Sequence, residues 1–260
     1  MEERIWLWED GKTPLYDESK GQRPFLTCYP LDNKPRAAAL ICPGGGYIEK
    51  VAHEKLPVVK AMHAMGLHAF ILDYRVAPYA WPAPIVDANR GVRLLRARAA
   101  EFNIKPDKIA VIGFSAGGHL CAMSGCRFDY GDENAADPIE RVSSRPDMII
   151  PCYAVLSMED GLSHPGSKKA LTAGLKVEEV DAVKSVRDDT PPCFLFHTEA
   201  DELVPLENSL LFAGALQARK VPYALHVFPF GRHGLAMAEE TPLAKAWPSL
   251  LEAFLREFGF

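Results

Sequence analysis

Along most of this chain, short apolar runs alternate with longer stretches in which apolar residues recur at helical spacing. The runs are the size of buried strands: Ala37–Cys42, His68–Asp73, Lys108–Gly113, Met148–Tyr153, Cys193–Thr198 and Tyr223–Phe228. Between them the pattern predicts helices over His53–Met65, closed by Gly66, and over Pro84–Phe102, Pro205–Arg219 and Pro242–Phe258. In the second of these, an amphipathic helix, Arg90, Arg93, Arg96 and Arg98 fall on the positions expected to face water. Strands alternating with helices imply an α/β fold, a mostly parallel central sheet with helices on both faces. Ile5–Trp8 and Phe25–Tyr29 read as edge strands.

Two stretches break the alternation. Arg127–Asp147 is polar and rich in Asp and Arg, and Val155–Asp189 is interrupted by Gly161, Pro165, Gly166 and Gly174. Loops of this length in a compact domain are usually lids or binding loops, so both are expected to lie over an active site. The expected organisation is one domain, 1–260, with insertions near 127–147 and 155–189.

Composition narrows the function classes. The chain has 260 residues, 48% of them hydrophobic, which suffices for one core. A net charge of −5 without a basic stripe argues against nucleic acid as a partner. The apolar runs are too short to cross a membrane as helices, so no membrane partner is expected. The start, Met1-Glu2-Glu3-Arg4-Ile5-Trp6, lacks the apolar segment of a secretory signal, and the six cysteines are scattered without a C-x-x-C pair. Both point to a cytoplasmic protein whose thiols serve as small buried hydrophobes. The oligomeric state stays open.

The chemistry begins at Gly113-Phe114-Ser115-Ala116-Gly117, which fits the G-x-S-x-G nucleophile elbow between a strand and a helix. Such a turn lifts the serine hydroxyl out of the sheet and leaves it above a helix N-terminus, whose N–H groups can stabilise an oxyanion. A serine hydroxyl needs a histidine to take its proton and an acid to orient that histidine, in the chain order serine, acid, histidine for this kind of elbow. Of the eight histidines, His53, His63 and His68 precede the serine, and His119 lies one helical turn below it, facing away from substrate. His164 is in the irregular insertion, and His197 and His226 are inside strands. His233, in a loop just past the last strand, has both the order and the position of the base. For the acid, Asp201 lies about three residues past the strand Cys193–Thr198 and is preferred over Glu199 and Glu202. Upstream, Pro43-Gly44-Gly45-Gly46-Tyr47 follows a strand, and a glycine run there lets backbone N–H groups reach an oxyanion together with that of Ala116. No Gly-Lys-Ser/Thr follows it, which argues against phosphate binding, and no His-Glu-x-x-His or other metal-ligand spacing is present.

Taken together, these residues resemble the α/β-hydrolase esterases of the hormone-sensitive-lipase and acetyl esterase type. The branch of bacterial acetylxylan esterases and feruloyl-esterase-like enzymes is the nearest in look. The resemblance runs from about Ala37 to the C-terminus. It rests on the glycine loop, on Asp73-Tyr74-Arg75-Val76-Ala77-Pro78, and on Gly113 to Leu120. It continues through Arg145-Pro146-Asp147, Asp189-Thr190-Pro191-Pro192, Val204-Pro205-Leu206-Glu207-Asn208-Ser209 and Gly231-Arg232-His233-Gly234. It implies an α/β-hydrolase fold, a Ser115–His233–Asp201 triad, no cofactor, and Gly45 and Gly46 as oxyanion donors. Pro43 stands where many lipases have His, and Phe114 where the wider family often has Asp. The implied substrate is a short acyl ester, such as acetyl on an oligosaccharide, with Tyr47 and Trp81 as candidate substrate contacts. Trp81 reads equally well as packing before a helix, and Arg75 as structural. The alternatives are an amide hydrolase on the same triad, such as an arylformamidase or peptidase, and a hydrolase fold used only for binding.

Overall fold

A computed structural model describes residues 3–172 and 177–260; Met1, Glu2 and Gly174 lie outside the described residues. Among those described, eight strands form one sheet: β1 Glu3–Trp6, β2 Phe25–Tyr29, β3 Arg36–Cys42, β4 His68–Asp73, β5 Ile104–Phe114, β6 Met148–Cys152, β7 Cys193–Thr198 and β8 Tyr223–Phe228. Their order is β1-β2-β4-β3-β5-β6-β7-β8. The β1–β2 and β2–β4 pairs are antiparallel, and every pair from β4–β3 to β7–β8 is parallel. The helices are α1 Leu56–Ala64, α2 Ala83–Ala97, α3 Ala116–Cys126, α4 Pro165–Thr172, α5 Ala182–Ser185, α6 Glu207–Ala218 and α7 Trp247–Glu257.

Period-two alternation divides each central strand between two cores. Ala38, Leu40 and Cys42 of β3, and Ile109 and Val111 of β5, pack with α2, α3 and α6 on one face. Ala37, Ala39 and Ile41, with Ala110, Ile112 and Phe114, pack with α1 and α7 on the other. This is the α/β-hydrolase architecture expected. Cys42, Cys121, Cys126, Cys152 and Cys193 are buried within it. No helix of the described residues is long and apolar enough to cross a membrane.

Three of the four helices, α1, α6 and α7, start later than the apolar pattern suggests. Ala52–Glu54 is a 3₁₀ turn, and α1 begins at Leu56 with Pro57 in its first turn; α7 begins at Trp247 with Pro248 in its first turn. Proline lacks the N–H that a helix interior requires, so each helix begins where its proline costs nothing. At the other end, α2 stops at Ala97 rather than Phe102.

Two expectations are corrected on α2. Arg90 and Arg93 are buried rather than facing water. Arg90 bonds Asp137 and Glu140 at 2.6 Å each, Arg93 pairs with Asp129 and Glu140, and Arg96 reaches Asp147 at 2.8 Å. Those acids belong to the 127–147 segment, so this segment clamps α2 and does not cover an active site. The reason is directional. Helix α3 leaves the C-terminal edge of β5 and runs back antiparallel to it, so the loop after α3 lies at the opposite edge of the sheet. There Asp147 accepts from the Ile109 N–H at 2.9 Å, and its own N–H donates to the Ile109 carbonyl at 2.8 Å.

Arg75 is structural. Its guanidinium and the Asp87 carboxylate are both fully buried, 2.6 Å apart, and the Arg75 N–H also donates to Asp87 at 2.8 Å. Burial pushes the Asp87 carboxyl up, to about 6, with Arg75 offsetting part of the cost. Asp87→Ala leaves an uncompensated buried guanidinium and is expected to lower stability by about 3–5 kcal/mol. Urea unfolding, compared at equal slope, checks it.

Candidate active site

Strand β5 runs directly into Ser115, and α3 starts at the next residue. Ser115 has φ 53° and ψ −118°, a conformation costly for a residue with a Cβ and characteristic of strained functional turns. The turn is this tight because its flanks are glycine. A Cβ on Gly117 would stand 2.1 Å from the Cys42 carbonyl oxygen, and one on Gly113 would stand 2.0 Å from that of Gly117. The Ser115 N–H is anchored to the Cys152 carbonyl at 3.0 Å.

The structure brings Ser115, His233 and Asp201 into one hydrogen-bonded line. Ser115 Oγ lies 2.8 Å from His233 Nε2, and His233 Nδ1 lies 2.7 Å from Asp201 Oδ2. A carboxylate only accepts, so Nδ1 carries the proton and Nε2 is left to accept from the serine. Asp201 Oδ1 accepts from the N–H groups of Leu203 and Val204 at 3.0 and 2.9 Å. Burial alone would raise the Asp201 carboxyl, but bonds to His197 and His233, the His233 charge and the Val204 N–H together hold it well below the usual carboxylate range. Glu199 and Glu202 are exposed.

The glycine loop lies against the elbow. A Cβ on Gly44 would meet the Phe114 carbonyl at 2.6 Å and the Ser115 Cβ at 3.1 Å. The Gly44 N–H is already used, donating to Glu54 Oε2 at 2.6 Å. Among the described residues the N–H groups of Gly45, Gly46 and Ala116 have no such partner. The loop is braced from below. The Tyr74 hydroxyl donates to the Pro43 carbonyl at 2.6 Å, Lys50 bonds Asp73 and the Tyr74 carbonyl, and the Ala77 N–H donates to the Tyr47 carbonyl. The Asp73–Pro78 motif thus supports the loop.

Tyr47 is corrected as a substrate contact. Its side chain is buried, and its hydroxyl sits 2.7 Å from His119 Nδ1 while His119 Nε2 faces the Val180 carbonyl at 2.6 Å. Burial pushes the His119 imidazole down to about 4, so it is neutral and clamps the glycine loop to α3. Trp81 is half-buried against the core, and its N–H donates to the Leu171 carbonyl at the end of α4. Of the 155–189 segment, His164 and Ser167 stand beside the glycine loop. From Gly46, a Cβ would stand 3.7 Å from Ser167 Oγ and 3.9 Å from His164 Cε1.

His164, in the irregular insertion, stands close to the glycine loop. Its Nδ1 accepts from the Ser167 N–H at 3.2 Å, which leaves the proton on Nε2. Burial, then the proximity of His233, lowers its pKa. His197, inside β7, has its Nε2 3.4 Å from Asp201 Oδ2 and donates to the Val204 carbonyl at 3.0 Å. Its place at the end of β7, four residues before Asp201, was the available signal. Among the described residues no group of three His, Cys, Asp or Glu is arranged to hold a metal ion.

The BD-FAE family model matches residues 29–216. An endo-1,4-beta-xylanase B of Butyrivibrio fibrisolvens is 35% identical over 243 residues, covering 90% of this chain and 38% of that protein. An acetylxylan esterase of Xylanibacter ruminicola is 28% identical over 229 residues, covering 85% of this chain and 45% of that protein. The chain thus spans less than half the length of these two curated relatives. Among solved structures, an acetyl ester-xyloside bifunctional hydrolase from Caldicellulosiruptor lactoaceticus superposes with a TM-score of 0.96 at 45% identity. That match covers 99% of this chain and 97% of the other.

Proposed function

The chain belongs to the BD-FAE family, and from that premise we propose that it is a serine carboxylic ester hydrolase whose substrates are short acyl esters, acetylated carbohydrates foremost. The observation that carries the proposal is the unbroken line Ser115–His233–Asp201, with unengaged N–H groups at Ala116 in the elbow and at Gly45 and Gly46 in the loop packed against it. Ser115 attacks the ester carbonyl while His233 Nε2 takes its proton. The carbonyl oxygen becomes an oxyanion and is met by the N–H groups of Gly45, Gly46 and Ala116. One such donor is worth about 2.7–4 kcal/mol in the transition state. The imidazolium then protonates the leaving alcohol, and water repeats the sequence on the acyl-enzyme. Asp201, held ionised by its neighbours, stabilises the imidazolium and fixes its tautomer.

The acetyl-carbohydrate preference rests on the acetylxylan esterase and acetyl ester-xyloside hydrolase named above. A panel of p-nitrophenyl esters from acetate to octanoate, run beside acetylated xylo-oligosaccharides, tests it. The expected result is the highest kcat/KM on acetate, with octanoate lower by at least about tenfold, as pocket discrimination by chain length allows. A preference for octanoate, or no acetate release from the oligosaccharides, would overturn the assignment. N-formylkynurenine and a dipeptide amide in the same panel separate ester from amide hydrolysis.

A further inference from the structure

Glu54 takes no part in the chemistry described, yet it is only 2% exposed and stands between the two loops on which that chemistry depends. A carboxylate buried in this way needs donors, and it has two from distant parts of the chain. The Gly44 N–H donates to its Oε2 at 2.6 Å, and the Tyr153 hydroxyl donates to its Oε1 at 2.9 Å. Burial raises the Glu54 carboxyl, and these two donors, with His53 and His233 nearby, pull it back.

Tyr153 extends the connection. Its hydroxyl accepts from the Ala236 N–H at 2.8 Å, three residues beyond His233. Its ring stands edge-on to the His233 ring, with centroids 5.2 Å apart at 74°. It also follows Cys152, whose carbonyl anchors the Ser115 N–H. One chain of hydrogen bonds, Gly44–Glu54–Tyr153–Ala236, therefore joins the glycine loop to the histidine loop, with the elbow between them.

We propose that Glu54 is a positioning residue that, through Tyr153, sets the oxyanion donors in register with His233. The proposal rests on the ester-hydrolase reading and deepens it. Oxyanion donors act only at a fixed distance from the developing charge, and a shift of about 1 Å can cost about 10²-fold in rate. Each loop contains glycines with positive φ, Gly45 and Gly46 in one and Gly231 and Gly234 in the other, so each needs an external tie. A carboxylate suits the place because it accepts from both sides at once. A glutamine oxygen can still accept from Gly44, and its amide can donate to the Tyr153 oxygen. A leucine can do neither.

The test uses Glu54→Leu, Glu54→Gln, Tyr153→Phe and the Glu54→Leu/Tyr153→Phe double variant. For each, kcat and KM on p-nitrophenyl acetate are measured with thermal melts, and Ser115 is labelled with a fluorophosphonate. Glu54→Leu is expected to lower kcat by about 10²-fold with KM changed less than about threefold, the pattern of an interaction made in the transition state. Glu54→Gln should restore kcat to within about tenfold of the parent. Tyr153→Phe should cost about tenfold, and the double variant should be no worse than Glu54→Leu alone, because residues in one network are not additive. Losses that multiply in the double variant, or a loss confined to KM, overturn the proposal. Should Glu54→Leu fail to fold, Glu54→Gln and Tyr153→Phe carry the test, and parental kcat in both overturns it. A parent that neither hydrolyses the ester nor takes the label overturns the hydrolase reading and this role with it. An active parent with unaffected variants overturns the positioning role alone.

Discussion

Replacing Ser115 with alanine is expected to lower kcat on p-nitrophenyl acetate by about 10⁴–10⁶-fold while leaving the fold intact. The substitution removes one oxygen and keeps the Cβ, so the backbone at φ 53° experiences no new contact. What disappears is the atom 2.8 Å from His233 Nε2. His233→Ala should cost a similar factor, because a serine without a base is a poor nucleophile at neutral pH. The Ser115→Ala/His233→Ala double variant should be hardly slower than either single one. Residues that act on one step as a unit are lost together at the first removal. The activity left in these variants is then the share supplied by the glycine loop and the Ala116 N–H. Initial rates with purified variants, with fluorophosphonate labelling of the parent and none of Ser115→Ala, check the result. Near-normal turnover by Ser115→Ala would remove the serine mechanism.

Much of this site was legible in one dimension because its defining properties are one-dimensional. Strand runs, the glycines flanking Ser115, and the order of serine, acid and histidine are all local or sequential. Strands β3 and β5 were recognisable because both faces are covered, which makes the run apolar throughout. What escaped depends on partners far along the chain. The helical period places Arg90 and Arg93 away from the sheet, but it cannot show that Asp129, Asp137 and Glu140 arrive to cover them. His53-Glu54 looks like a polar helix start, and no residue adjacent in the chain reveals that Glu54 points inward to Gly44 and Tyr153. Tyr47 sits beside the oxyanion glycines in sequence, yet its positive φ and its bond to His119 turn the ring beneath the loop. The side on which 127–147 falls follows from chain direction. A helix that leaves the C-terminal edge of a parallel strand must end near the opposite edge, so the next loop cannot cover the nucleophile.

Asp201→Asn should be almost as damaging as loss of the serine, for a reason that can be followed atom by atom. Oδ1 of Asp201 accepts from the N–H groups of Leu203 and Val204, so an asparagine there must place its oxygen at that position. Its NH₂ then replaces Oδ2 and faces His233 Nδ1. Two donors cannot share that contact, so the imidazole moves its proton to Nε2. Nε2–H now points at Ser115 Oγ and cannot accept the serine proton. The expected loss in kcat is about 10⁴-fold, with KM little changed and the fold retained, because volume and both backbone bonds survive. Glu199→Gln and Glu202→Gln provide the contrast. Both side chains are exposed and neither reaches His233, so each should stay within about twofold of the parent. Should Asp201→Asn keep kcat within about tenfold while Glu199→Gln or Glu202→Gln falls by more than 10³-fold, the acid would have to be reassigned. The hydrogen-bond line ending at Asp201 would then be a resting arrangement rather than the working one.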